Sequence, residues 1–71
     1  MNQYEIIYYD RYDNVTEIRR REHPSDIDVI HYVKRYLSED KGMDDDYWYA
    51  EVRRLGDSTE DSKFQRRVDK F

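Results

Sequence analysis

One segment, Ser25 to Gly42, constrains the fold more than any other, because it carries a single apolar stripe that only a second layer can bury. Pro24 ends whatever precedes it. Ser25 is placed to cap the first free N–H groups, and Asp28 three residues on completes a capping-box-like pair with a carboxylate at the positive helix end. This predicts a helix over 25–41, starting at about Asp26. At about 100° per residue, Val29, Ile30, Val33, Tyr36 and Leu37 fall within one arc of roughly 120°, opposite Asp28, His31, Lys34, Arg35 and Ser38. Gly42 is expected to end the helix as a left-handed C′ residue.

Strands are expected on both sides of this helix. Gln3 to Tyr9 alternates Tyr4, Ile6 and Tyr8 against Glu5, Ile7 and Tyr9, and the polar stretch Asp10 to Asn14 reverses the chain. Val15 to Glu22 returns to complete a hairpin over 1–22, with Ile18 expected inward beside Thr16 and Arg20, and Glu17, Arg19 and Arg21 outward. An acidic loop, Glu39 to Asp46, leads into a strand over 47–55. There Trp48, Ala50 and Val52 are expected to face the helix, Trp48 as the leading core residue, with Tyr47, Tyr49, Glu51 and Arg53 opposite. Over 58–71, Phe64, Val68 and Phe71 recur at i, i+4 and i+7, which favours a short helix capped by Asp57 or Ser58 with Glu60 and Asp61 in its first turn. A fourth strand is the alternative, since Lys63 to Lys70 also tolerates an extended reading.

The expected fold is therefore α+β: one domain over 1–71, a small antiparallel or mixed sheet in β-β-α-β order followed by a C-terminal helix or strand, and the main helix packed on one face. At 71 residues, with 37% hydrophobic content that includes 8 Tyr, the aliphatic core is thin, so the Phe64, Val68 and Phe71 stripe is expected to dock, either on a second copy as a homodimer, which is favoured, or back over the open sheet face of its own chain. With no cysteine, disulfides, thiolate catalysis and Cys-ligated zinc are excluded. No apolar run approaches the roughly 20 residues of a membrane span, and no signal peptide is evident, so a cytoplasmic protein is expected.

Chemistry finds little footing. There is no Gly-rich phosphate loop, the serines sit in capping or loop contexts, and His23 and His31 lack metal-ligand spacing and are expected at the surface. Neither enzyme activity nor a cofactor is expected. If the helix covers the Tyr4, Ile6, Ile18 and Trp48 side, the open sheet face collects Tyr9, Arg19, Arg21, Tyr47, Tyr49 and Arg53, residue types enriched at protein interfaces. A protein partner is the first expectation. Two others compete: single-stranded nucleic acid stacked on the same face, and nucleic-acid mimicry by Asp44, Asp45 and Asp46 toward a basic protein groove. A net charge of −4 disfavours the nucleic-acid reading.

In layout, the hairpin, capped helix and strand from Gln3 to Leu55, with the acidic loop, resemble small bacteriophage-encoded proteins that bind and inhibit host machinery. That resemblance implies an inhibitor or adaptor that occupies a partner's surface, and it transfers no functional residue.

Overall fold

The computed structural model describes residues 1–56 and 64–71. Strands β1 (Asn2–Tyr9) and β2 (Val15–His23) form a hairpin, helix α1 (Asp26–Arg35) follows, and β3 (Tyr49–Leu55) and β4 (Gln65–Asp69) complete the sheet. Among the described residues the sheet has four strands in the order β2-β1-β3-β4, with every pairing antiparallel. The fold is α+β, with the helix packed on one sheet face.

The helix forms as its sequence dictates. The Ser25 hydroxyl accepts the Asp28 N–H at 3.1 Å, and Asp26 and Asp28 sit in the positively polarised first turn. Val29 and Val33 are buried, and so are Tyr36 and Leu37 in a π-helical turn, Tyr36–Asp40, that extends α1. Ile30 packs on the edge of the same core. The helix does not end on a left-handed glycine as expected. Its last turn widens so that the Lys41 N–H reaches the Tyr36 carbonyl at 2.9 Å, and Gly42 has no positive φ. Glycine is needed there for close approach, since a Cβ at position 42 would lie 2.4 Å from the Ser38 carbonyl oxygen.

Under the helix, Tyr4, Ile6 and Tyr8 of β1 meet Ala50 and Val52 of β3. The faces of β2 are the reverse of expectation. Cross-strand partners share a face, and the register pairs Ile7 with Ile18, Ile6 with Arg19 and Tyr8 with Glu17. Ile18 is consequently on the uncovered face, 58% exposed, while Glu17, Arg19 and Arg21 lie on the helix side. The turn sets this register: the Asp10 carboxylate accepts the Tyr12 and Asn14 N–H groups, Asp13 adopts φ 66°, and Thr16 is the extra residue of a bulge. His23, expected at the surface, is buried beside Tyr4 and Tyr32, its Nδ1 2.9 Å from an Asp28 carboxylate oxygen.

Two further expectations are corrected. The ladder of β3 starts at Tyr49, so alternation counted from position 47 does not apply. Tyr47 turns into the core, and Trp48, expected to lead that core, is only half-buried outside it. At the C-terminus the favoured helix gives way to the alternative, a fourth strand, β4, over Gln65–Asp69; the capping residues Asp57, Ser58, Glu60 and Asp61 lie outside the described residues. The apolar spacing itself explains the outcome. Positions 64 and 68 differ by an even number and so share one strand face, where Phe64 and Val68 pack on the core; position 71 falls on the other side, and Phe71 is 86% exposed.

Candidate functional site

Of the six residues expected on the open face, the structure places three there. Tyr9, Tyr49 and Arg53 are on the uncovered side with Glu5, Ile7 and Glu51, whereas Arg19, Arg21 and Tyr47 are on the helix side. Tyr49 sits between its neighbours: Tyr9 of β1 stacks on it at 4.8 Å and 11°, and the Arg67 guanidinium of β4 lies 3.9 Å from its ring centroid. The Tyr49 hydroxyl donates to Asp13 at 2.6 Å, and that bond, together with burial, pushes its pKa up to about 12. With 8% of its surface exposed, Tyr49 has no free ring face on which a base could stack.

The charges of this face are largely matched. Glu5 accepts Arg53 at 2.8 Å and Arg20 at 3.3 Å, and Arg67 pairs with Asp69 at 2.9 Å. Such a face is poor in free cations for phosphate.

At the end of the sheet where β1 stops, β3 starts and β4 stops, the surface changes character. Trp48 meets Phe71 edge to face at 5.5 Å, and the Arg11 guanidinium lies 5.1 Å from the Trp48 ring centroid. The acidic loop is brought to this same end. Lys70, itself buried, donates its ammonium to the Asp44 and Gly42 carbonyls at 3.0 and 3.4 Å, the Lys70 N–H donates to the Trp48 carbonyl, and Thr16 donates to the Asp46 carbonyl. Asp44 is half-buried and accepts the Asp46 N–H, so it is a turn residue, while Asp45 and Asp46 remain exposed. A cleft of about 250 Å³ lies between the hairpin turn and this loop, lined by Asp10, Arg11, Tyr12, Asp45 and Asp46.

On the helix side, Arg19, Glu17, Tyr36 and Tyr47 form a structural polar cluster. Glu17 accepts Arg19 Nε, the Tyr47 hydroxyl at 2.6 Å and the Tyr36 hydroxyl at 3.2 Å, and Arg19 also donates to Tyr36 at 2.9 Å and to Tyr32 at 3.2 Å. Burial would raise the Glu17 pKa, but the bonds from Tyr47 and Arg19 carry it below its ordinary value. Burial first, then the bond to Glu17, pushes Tyr47 well above the usual tyrosine range. These groups hold one another and present no nucleophile with a free base. Among the described residues no group of three or more His, Asp or Glu side chains is placed to hold a metal ion.

Sequence reasoning did not place Arg67, Trp48, Phe71 or Arg11 in the candidate site. The strand reading of 63–70 would have found Arg67, since it puts Arg67 and Asp69 on one face; Trp48 carried no such signal. No helix among the described residues is long and apolar enough to cross a membrane. Protein-family models, curated proteins and solved structures give no match to this chain.

Proposed function

We propose that this chain is a non-enzymatic interaction module that binds a protein partner through the uncovered sheet face, centred on its Trp48 and Phe71 end. The observation that carries the reading is Phe71: a large aromatic 86% exposed, packed edge-on against Trp48, with Tyr9, Tyr49 and Arg67 in the adjoining stack. Trp, Tyr and Arg are the residue types that dominate interface energetics. An inhibitor or adaptor role follows from the layout resemblance to phage inhibitors, and the lack of cysteine fits work in a reducing cytoplasm. Phe64 and Val68 pack within their own chain, which favours an acting monomer over the homodimer expected from the tail's apolar stripe.

Affinity capture with the full chain and with Phe71→Ala tests the reading. A partner retained by the wild type is expected to be lost, or weakened at least about tenfold, when the exposed ring is removed. The same partner captured equally by a folded Phe71→Ala chain would refute the face.

A further inference from the structure

The sequence offers an aromatic face and an acidic loop as rival features, but the fold joins them. Lys70 ties the loop carbonyls to the end of β4, one residue from Phe71, and the cleft that holds Asp45 and Asp46 shares Arg11 with the Trp48 ring. Among the described residues the Asp45 and Asp46 carboxylates have no hydrogen bond or ion pair, and Arg11 has no carboxylate partner. An apolar, aromatic patch thus borders two unneutralised acids, and a cation already rests on the indole.

We propose that this end of the molecule docks a protein segment in which basic residues flank an apolar one. The apolar side chain covers Trp48 and Phe71, and a flanking Lys or Arg enters the cleft toward Asp45 and Asp46, displacing Arg11 from the indole face. This rests on the interaction reading above and adds the chemistry of the partner. Three features select it. Desolvating the exposed parts of two aromatic rings supplies binding energy, free carboxylates at the rim accept a cation and reject an anion, and the net charge of −4 steers basic partners inward. The resident Arg11 shows that a guanidinium fits over Trp48.

Trp48 is the one tryptophan in the chain, so its fluorescence reports occupancy directly. The probe is an amidated synthetic peptide of alternating Lys and Leu. Its controls are the same peptide with Glu for Lys, the same with Ser for Leu, and a single-stranded thymidine oligonucleotide. A saturable change with the Lys and Leu peptide alone is expected, weakening as salt rises. The double variant Asp45→Asn and Asp46→Asn should lose about fivefold in affinity, as two exposed charge pairs allow. Phe71→Ala should lose at least about tenfold, and Arg11→Ala should gain, because the resident competitor is gone. An unchanged affinity in the aspartate double variant, saturation by the oligonucleotide, or no saturable response to the Lys and Leu peptide overturns the proposal. Equal binding of the Glu peptide, still lost in Phe71→Ala, overturns the charge assignment while the interaction face stands. Binding of the Lys and Leu peptide that ignores Phe71→Ala removes both.

Discussion

Tyr8 and Tyr47 meet at 5.6 Å between ring centroids, yet their hydroxyls are in opposite situations. The Tyr47 hydroxyl donates to Glu17, while the Tyr8 hydroxyl is buried with no partner among the described residues. A buried polar atom without a partner forfeits its hydration for nothing in return, so Tyr8→Phe should raise stability by about 1 kcal/mol. Tyr47→Phe removes a bond to a carboxylate and should lower it by about 1.5 kcal/mol; paired urea titrations check both signs. Tyrosines on both sheet faces, together with Glu17, set the response to pH. Tyr8 and Tyr47 have folded pKa values above the ordinary 10.0, chiefly through burial, and Tyr49 reaches about 12, chiefly through its bond to Asp13. Keeping them neutral favours the fold, so stability is unaffected by them below pH 10 and falls as pH rises from there through the folded values, because the unfolded chain ionises first. Glu17 has the opposite sign: its folded pKa lies below the ordinary 4.5, so its stabilisation is present above pH 4.5 and is lost on acidification. Thermal melts across pH should therefore fall away at both ends.

At the scale of elements, β4 carries the clearest test of how the tail is used. Val68 is buried opposite Ala50, so Val68→Ala should cost about 2 kcal/mol by the methyl groups it removes and the cavity it leaves. Phe71→Ala, at an exposed site, should stay within about 0.5 kcal/mol of wild type, as denaturant midpoints will show. A helical tail with all three apolar residues on one side would have made the two losses alike. The elements differ in how far the sequence alone reveals them. Helix α1 was legible because its cap and stripe are local: every signal lies within Ser25 to Leu37. The faces of β2 were not, because Ile18 is its one strongly apolar mid-strand residue and pattern alone turns it inward. What decides is the register across the hairpin, a consequence of the Asp10 turn and the Thr16 bulge. Arg19 can then face the helix because Glu17, Tyr32 and Tyr36 receive its guanidinium. Tyr47 and Trp48 changed places for a related reason: the chain joins the ladder only at Tyr49.

At the scale of the molecule, the one helix among the described residues covers one side of a sheet that has four strands there, and leaves the other side to its own side chains. Most of that face satisfies itself, through Glu5 with Arg20 and Arg53 and through the Tyr9, Tyr49 and Arg67 stack. The exception is the end where Trp48, Phe71 and the free acids of the loop converge, and that convergence is the part of the site no local pattern announces. A second opening competes with it as a binding surface: a cleft of about 390 Å³ between α1 and β4, lined by Asp26, Ile27, Ile30, His31, Phe64 and Arg66. The two differ in charge, since the cleft offers the Arg66 guanidinium, and its Asp26 carboxylate is taken up by Arg54 and Tyr4. Amide-resolved NMR of the isotope-labelled chain, titrated with the Lys and Leu peptide, separates them. The perturbed amides are expected to cluster at Arg11, Asp45, Asp46, Trp48 and Phe71; perturbations confined to Ile27, Ile30, His31 and Arg66 would contradict binding at the Trp48 and Phe71 end.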